Sequence, residues 1–407
     1  MKNRNYMGFL WHAIFLSLTT TFTEVNTIIP SLILKIGGSS IHVGIVSAIL
    51  IGLPMVTKLF FSGFLSSRES KKPYLLLGIY LRILALVSIA ITLVWYENFG
   101  FFALIILLYL ELLLFSVGGA FASLPYVYLV GGSLEKNIRI LFFTRKQMIS
   151  SIGMLLSVII ARYILKTFEY PNQYIILFSL SSISLFIASF GFVAIKEKPV
   201  EIKNKVLIRD VFKDIPSLYK DDRNFFKFLI YTNIMGAALA IVPFYIGYAQ
   251  KSFVIDSNLL GYVLIIQICG MFISSLVFPK IIKSKGFKGI LKLRIYLHIS
   301  LSLLAIIFVR MNSLYGYLFL FFIIGIALGA RAVSEDAALI ELTNSENRVI
   351  YSALAGTLNI AIVIFPLILG SLISVFGYAI IFSISAFFTL FAFPVLNSLV
   401  CPIDMEK

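Results

Sequence analysis

Long apolar runs, separated by short polar stretches, repeat along the whole chain. A helix needs roughly 20 apolar residues to cross the hydrocarbon of a bilayer, so each run predicts one membrane span. We place twelve predicted spans at residues 8–33, 43–65, 73–95, 101–124, 147–167, 174–195, 226–250, 259–279, 289–310, 315–334, 349–374 and 377–399. Residues 197–224 form a long polar stretch that predicts a cytoplasmic linker. The sequence therefore predicts an all-α integral membrane protein with two six-helix halves, residues 1–196 and 225–407.

Composition and charge agree with a bilayer environment. The 407 residues are 60% hydrophobic and 13% charged, against about 25% charged in soluble domains, which excludes a soluble enzyme or a nucleic-acid-binding domain. Most of the 34 Lys and Arg residues lie at the two ends, in the even-numbered loops and in the linker. Basic residues collect on the cytoplasmic face of membrane proteins. We therefore expect a multi-pass protein of the cell membrane with both termini in the cytoplasm, and the net charge of +15 requires no nucleic-acid partner.

An internal repeat divides the chain. Residues 75–83 and 291–299 share six identical residues, including one Ile-Tyr-Leu triplet, at an offset of 216, and Pro30 pairs with Pro243 at a similar offset. One interpretation is chance resemblance between leucine-rich helices. The other is two halves of the same orientation, related by an axis along the membrane normal, with the solute handled between them near the midplane. Two rocking halves predict alternating access, whereas a channel has no need of this arrangement.

The loop after the second span points to a known family. It runs Gly63-Phe64-Leu65-Ser66-Ser67-Arg68-Glu69-Ser70-Lys71-Lys72. Together with the six-plus-six layout it resembles the major facilitator superfamily, whose loop has an acidic residue where Ser67 stands and a glycine where Ser70 stands. The resemblance implies a pseudo-two-fold transporter fold. It also implies that Gly63, Arg68, Lys71 and Lys72 belong to a cytoplasmic gate, latched in the outward-open state.

Glu24, Lys58, Arg82 and Glu111 are ionisable residues in the interior of predicted spans of the first half. Inserting an ionisable group at bilayer depth costs about 2.5–3.5 kcal/mol of free energy, so each of these residues needs a structural or functional explanation. Glu24 belongs to a polar stripe on the first span, which we expect to face an internal cavity; its members are Ser17, Thr20, Thr21, Glu24, Thr27 and Ser31. Glu111 in the fourth span is predicted to lie in drier surroundings and to pair with Arg82, at similar depth in the third span. Lys58 in the second span lies nearer the cytoplasm.

These residues have a structural and a functional interpretation. They are either buried ion pairs that hold the first half together, or carboxyl groups that bind a proton on one side and release it on the other. The second half offers neutral amides in mid-span, namely Asn233, Gln267 and Asn359. Such amides either bind a polar solute or link helices at about 0.6 kcal/mol each. Acidic residues near Glu335, with Arg331, predict a solvated cytoplasmic loop.

The predicted function is secondary active transport of a small solute by alternating access. We expect coupling to protons, no cofactor, no metal site, no catalytic site and a monomer in the lipid bilayer. A lone carboxylate in the first span favours cationic or neutral lipophilic solutes and efflux by antiport. An unpaired Arg82 would instead favour an anion and proton-coupled uptake by symport. A non-transporting scaffold or assembly factor on a transporter fold is the remaining alternative.

Overall fold

The structure is a computed structural model that describes residues 2–66, 68–133, 136–197, 222–342, 354–356 and 358–400. All secondary structure in this described part is helical. Ten helical segments in it are long and apolar enough to cross a membrane, and a shorter apolar helix spans Ser40–Met55. The protein is therefore a multi-pass membrane protein by length and composition. The layout of twelve spans in two halves stays a prediction.

Helices of the first part of the chain follow the predicted spans closely but not completely. They are α1 (Lys2–Phe22), α2 (Ile28–Lys35), α3 (Ser40–Ser47), a π-helical turn (Ala48–Gly52), α4 (Leu53–Ser66), α5 (Lys72–Val94), a 3₁₀ turn (Tyr96–Asn98), α6 (Phe101–Ser133), α7 (Lys136–Thr167) and α8 (Asn172–Ala194).

Helices of the second part are α9 (Arg223–Leu239), α10 (Phe244–Ser252), α11 (Ser257–Arg310), α12 (Leu314–Leu342), α13 (Ala361–Phe376), α14 (Tyr378–Leu390) and α15 (Ala392–Asn397). Two of the apolar segments, Ser257–Phe278 and Phe287–Arg310, both belong to α11. Most of the predicted linker, residues 198–221, lies outside the described residues.

The first and seventh predicted spans are each interrupted, which corrects the prediction of two continuous helices. The breaks separate α1 from α2 at residues 23–27 and α9 from α10 at residues 240–243. Pro30 and Pro243 explain them physically, because proline lacks the N–H that would bond to the carbonyl four residues earlier and its ring clashes with that carbonyl. For Pro243 that carbonyl belongs to Leu239, the last residue of α9.

The contacts divide the chain into two compact units. Unit 1 comprises residues 1–38, 49–207 and 256–265, and unit 2 comprises residues 39–48, 208–255 and 266–407. In unit 1, α1 packs on α7 and α8, and α5 packs on α6 and α8. In unit 2, α13 packs on α3, α9 and α14. The predicted domain boundaries follow chain order, whereas contacts assign α3 to unit 2 and the start of α11 to unit 1. Those boundaries stay a prediction.

Corresponding hydrogen bonds occur in the two units. The side chain of Asn5 accepts from the backbone N–H of Lys196 at 3.0 Å and donates to its carbonyl at 2.9 Å. Asn224 makes the same pair of bonds with Val400, at 2.9 and 2.7 Å. In both units an asparagine near the start of one helix therefore binds the backbone beyond the end of another. These equivalent contacts support the internal repeat found in the sequence.

The same correspondence holds for two lysines that are 216 residues apart, the offset of the repeat. Lys72 donates its Nζ to the carbonyls of Val193 and Ile195, both at 2.8 Å, at the end of α8. Lys288 donates its Nζ to the carbonyl of Leu399 at 2.8 Å, just after α15. Both ammonium groups thus bind terminal carbonyls, which is where a helix carries partial negative charge.

Candidate functional site

Glu24 lies in the break between α1 and α2, where it is 9% exposed. Its Oε2 accepts from the backbone N–H of Asn26 at 2.7 Å and from the hydroxyl of Thr27 at 2.8 Å. Its Oε1 accepts from the Asn26 side-chain amide at 2.9 Å. The carboxylate therefore organises the turn that connects the two helices. Thr27 and Asn26 are buried with it.

The continuous polar stripe predicted along the first span is wrong, because the helix ends at Phe22 and Glu24 and Thr27 no longer follow helical spacing. Hydroxyls of α1 instead bond to carbonyls of their own helix: Thr20 and Thr21 both donate to the carbonyl of Ser17 at 2.9 Å. Local bonds of this kind compete with the helix and bend it. Thr20 is exposed, and the polar groups concentrate at the break rather than along one face.

The predicted pair between Arg82 and Glu111 is also wrong. Glu111 accepts through its Oε1 from Ser88 at 2.6 Å and from Thr92 at 2.7 Å. Arg82 lies opposite Phe115 and Gly118 instead. Because α5 and α6 run antiparallel, Glu111 on α6 lies opposite Ser88 on α5. Ser88 is six residues after Arg82, which is about 9 Å along the helix at 1.5 Å per residue. Within the described residues, no ion pair joins the two groups.

Arg82 occupies a recess of α6. Its guanidinium carbon lies 4.4 Å from the centroid of the Phe115 ring, a cation–π contact. A Cβ added at Gly118 would lie 3.1 Å from Arg82 Cγ, and one at Gly119 would lie 3.6 Å from Arg82 Cδ. The two glycines therefore make room for the long side chain. Arg82 Nε is buried and has no hydrogen-bond partner in the described part of the chain.

In unit 2, two of the predicted amides meet at an interruption before α13. Asn233 donates to the carbonyls of Leu229 and Leu358, both at 2.9 Å, and accepts from the backbone N–H of Ala361 at 3.3 Å. This amide replaces helical hydrogen bonds that the interruption removes. Asn359 is buried nearby, and its Oδ1 would lie 2.6 Å from a Cβ at Gly236.

Two of these amides retain unused hydrogen-bonding capacity. Gln267 on α11 is completely buried, and both its Nε2 and its Oε1 have no partner among the described residues. The Oδ1 of Asn359 is likewise unpartnered there. A buried polar group without a partner costs about 1–3 kcal/mol. Gln267 and Asn359 are therefore better candidates for binding a polar solute than Asn233, whose amide is used by the backbone.

An apolar cavity of about 480 Å³ lies between α9, α13 and α14. Ile230, Ile364 and Phe388 line it, and Asn233 contributes a polar group. Ile230 is 52% exposed and Ile364 is 45% exposed, so the cavity is bordered by exposed apolar side chains of membrane-spanning helices. It is a groove that hydrocarbon can fill.

An ion-pair cluster that sequence reasoning missed lies at the interface of α11 and α12. Arg294 is 1% exposed, and its Nη2 lies 2.9 Å from Oε1 of Glu335. Arg331 reaches Oε2 of the same carboxylate at 3.2 Å. Glu335 was predicted to lie in a solvated loop, which is wrong, because α12 continues to Leu342 and packs this carboxylate against a buried arginine. The available signal was a charged Arg294 inside the predicted ninth span.

The predicted gate loop is held within unit 1. Glu197, the first residue of the predicted linker, accepts from the backbone N–H of Lys71 at 2.6 Å, the N–H of Lys72 at 3.0 Å and the hydroxyl of Ser70 at 2.5 Å. Its carboxylate therefore caps the start of α5, where the helix dipole favours negative charge. Sequence reasoning did not identify Glu197, because nothing in its local sequence indicates a partner more than 100 residues earlier.

Lys71 and Arg68 complete this loop. Lys71 donates its Nζ to the carbonyls of Leu65 and Arg68 at the end of α4. Burial lowers the pKa of Lys71, and the carboxylate of Glu197 partly offsets that effect. The Arg68 guanidinium lies 4.6 Å from the Phe64 ring centroid. The two remaining predicted residues of this region, Lys58 and Gly63, lie in α4, and their side-chain surroundings fall outside the described residues.

No group of three or more His, Cys, Asp or Glu side chains that could hold a metal ion occurs among the residues that the structure describes. His12 is buried in α1, where its Nδ1 lies 3.3 Å from the carbonyl oxygen of Ala188.

The family model of the Major Facilitator Superfamily matches residues 10–329. No protein of curated function matches the sequence. Among solved structures, a mutant of the nucleoside transporter NupG is similar over 97% of this chain and 99% of its own, with a TM-score of 0.72 and 13% identity.

Two further structures have the same fold. A bacterial homologue of the iron transporter ferroportin, in an inward-facing state, matches 97% of this chain and 98% of its own, with a TM-score of 0.70 and 13% identity. The xylose transporter XylE from E. coli matches 98% of both chains, with a TM-score of 0.65 and 11% identity. At such identities the likeness shows the fold alone.

Proposed function

Since the chain belongs to the major facilitator superfamily and shares the fold of membrane solute transporters, we propose that it is a proton-coupled secondary transporter that works by alternating access. A small solute and the proton gradient are its partners. Glu24 is the proposed proton-binding residue. The position of its carboxylate, buried in the break of the first span, carries this proposal.

The hydrogen bonds of Glu24 explain how a proton would be sensed. Oε2 accepts from both the Asn26 N–H and the Thr27 hydroxyl. A proton on this oxygen makes it a donor with less capacity to accept, so the bond from the Thr27 hydroxyl must either reverse its direction or be given up. Because the same bonds shape the turn between α1 and α2, protonation and the geometry of the break are linked. A switch of this kind needs a local charge change and a segment with two arrangements.

The available driving force is sufficient. Moving one charge through 100 mV is worth about 2.3 kcal/mol, and a tenfold proton gradient adds about 1.4 kcal/mol. Together these energies correspond to a solute gradient of several hundredfold, at about 1.4 kcal/mol for each factor of ten.

Glu24→Gln in proteoliposomes tests the coupling role. Solutes are first screened with an internal pH dye, and those that move protons are then used for uphill transport and for counterflow exchange. We expect the variant to lose proton-driven accumulation while exchange continues, because glutamine preserves shape but binds no proton. Glu169→Gln is the matched control, since Glu169 is exposed just after α7. Uphill transport at the parent rate in Glu24→Gln would refute the coupling role.

Direction of transport is a separate question. The absence of a carboxylate partner for Arg82, in the part of the chain described, favours proton-coupled uptake of an anion as the second candidate function. Efflux by antiport stays the alternative for cationic or neutral solutes. A solute-dependent inward proton movement supports symport, and an outward movement supports antiport. A reconstituted protein that moves no solute at all would indicate a scaffold.

Solute contacts in unit 2 are proposed at Gln267 and Asn359, because both amide atoms of Gln267 and the Oδ1 of Asn359 are buried without a hydrogen-bond partner among the described residues. Hydrogen bonds to a solute would relieve the cost of leaving them unpaired. We expect Gln267→Leu to raise KM for the transported solute rather than to unfold the protein. Removing a buried polar group that has no partner is close to neutral for stability.

A further inference from the structure

We propose that Arg82 binds an anionic group of the transported solute, a carboxylate or a phosphate. This inference rests on the proposed transport function and names the chemical class of its substrate. It concerns unit 1 alone and uses only α5, α6 and α1.

Arg82 carries a positive charge in the interior of a membrane-spanning helix. Arg82 lies in the middle of α5, ten residues from Lys72, which is about 15 Å into the bilayer at 1.5 Å per residue. Glu111 on the neighbouring helix is bonded to Ser88 and Thr92 instead. His12 on α1 is within electrostatic reach but supplies no negative charge. No salt bridge involves Arg82 within the described residues, so its positive charge is uncompensated.

Energetics make this arrangement informative. An arginine at mid-bilayer depth is energetically unfavourable even on a lenient scale, and such residues mark substrate pathways. The contact with Phe115 offsets part of this unfavourable free energy, because the face of an aromatic ring attracts a cation. The remainder is offset when an anion binds. A guanidinium offers planar paired donors that match the two oxygens of a carboxylate or phosphate.

Arg82 is packed more tightly on its Gly118 side than on its Gly119 side. Gly118 is tightly packed, since an added Cβ would lie 2.8 Å from the carbonyl oxygen of Gly78. At Gly119 the nearest atoms to an added Cβ belong to Arg82 itself, at 3.6–3.9 Å. The Gly118 side of Arg82 is therefore closed by backbone, whereas a Cβ at Gly119 would be in ordinary van der Waals contact with Arg82, and Gly119 is itself partly exposed. Arg82 is half-buried, which agrees with partial access from this direction.

The electrostatic potential at position 119 can be measured even when the transported solute is not identified. The parent for labelling carries Cys269→Ser and Cys401→Ser, and Gly119→Cys is introduced into it. The thiol is reacted with the anionic reagent MTSES and with the cationic reagent MTSET, and both rates are divided by those of free 2-mercaptoethanol. A positive charge about 4 Å away in water should raise the rate of the anionic reagent about fivefold and lower the rate of the cationic reagent about fivefold. We therefore expect the MTSES-to-MTSET ratio to be about 25-fold higher than for free 2-mercaptoethanol.

Arg82→Gln in the same labelling background should return this ratio to about one, and Arg82→Lys should retain most of it. Because Arg82→Lys keeps the positive charge, a reagent ratio that falls in Arg82→Gln but not in Arg82→Lys results from loss of charge and not from loss of folding. A thiol that neither reagent labels, or a ratio that Arg82→Gln leaves unchanged, would overturn the inference.

Solutes identified by the flux screen provide the second test. We expect each to carry a carboxylate or phosphate, and Arg82→Gln to raise its KM at least tenfold, with a smaller change in Arg82→Lys. A transported neutral or cationic solute whose KM is unaffected by Arg82→Gln overturns the substrate class. These outcomes are separate from those of Glu24→Gln: failed proton coupling leaves the reagent ratio intact, whereas a failed anion site leaves proton coupling intact.

Discussion

The carboxylate of Glu197 is predicted to stabilise the end of unit 1 at which α5 begins. It is half-buried and accepts three hydrogen bonds, two of them from backbone N–H groups at the start of α5. These N–H groups have no intrahelical acceptor, because the first turn of a helix leaves its donors unpaired. Glu197→Ala therefore removes the acceptor and leaves water to replace it.

The expected loss follows from these bonds. A buried hydrogen bond to a charged group contributes about 1.5–3 kcal/mol, and we take about 1 kcal/mol for each backbone bond at this partly exposed position. The favourable interaction with the helix dipole adds about 0.5 kcal/mol. Glu197→Ala is therefore expected to lower the free energy of unfolding by about 2–3 kcal/mol. Glu197→Gln keeps an acceptor oxygen but loses the charge, so we expect about half that loss.

Unfolding in mixed dodecylmaltoside–SDS micelles, followed by far-UV circular dichroism, measures these differences. Glu169→Ala is the control, because Glu169 is exposed and we expect a change within about 0.5 kcal/mol. Hydrogen exchange at Lys71 and Lys72 gives a local readout, and both amides should exchange faster in Glu197→Ala. Equal stability of the Glu197→Ala and Glu169→Ala proteins, with unchanged exchange, would refute the capping role.

Two other predictions concern packing and charge in the helices. Gly118→Ala places a Cβ 2.8 Å from a backbone oxygen of α5 and should lower the free energy of unfolding by about 1–3 kcal/mol. In the same assay, Gly119→Ala should change the free energy of unfolding by no more than about 0.5 kcal/mol. Glu335→Leu leaves the buried Arg294 without its carboxylate partner and should lower the free energy of unfolding by about 3–5 kcal/mol. Arg294→Met should lower it by less, because Arg331 still pairs with the Glu335 carboxylate. Equal losses within either pair would contradict the packing or charge assignments.

Sequence patterns located most of the membrane helices but not their interruptions. Pro30 and Pro243 are visible in the sequence as a repeated pair. Proline is tolerated inside membrane helices when neighbouring groups satisfy the freed carbonyls, so its presence alone does not predict a break. At Glu24 the break depends on side-chain bonds to Asn26 and Thr27, which only the folded geometry displays.

Candidate residues were harder to predict than helices. The charges of Arg82 and Glu111 were recognised from the sequence, but their pairing was not, since a six-residue difference in register separates them. Arg294 and Glu335 lie 41 residues apart in the chain, and their contact depends on how α11 and α12 pack. The sequence signals a costly charge in a membrane helix but does not identify the group that compensates it.

The sequence by itself determined the environment and the class of this protein. Apolar run length and the distribution of basic residues are set by the thickness and polarity of a bilayer, which act on each segment locally. The repeat at offset 216 is visible as identical residues in the sequence itself. Only the tertiary structure decided which charges are paired, because pairing depends on helix register and on contacts between distant segments. Glu24 thereby changed from a member of a helical stripe to the organiser of a break, and Arg82 changed from half of an ion pair to a cation without an ion-pair partner among the described residues.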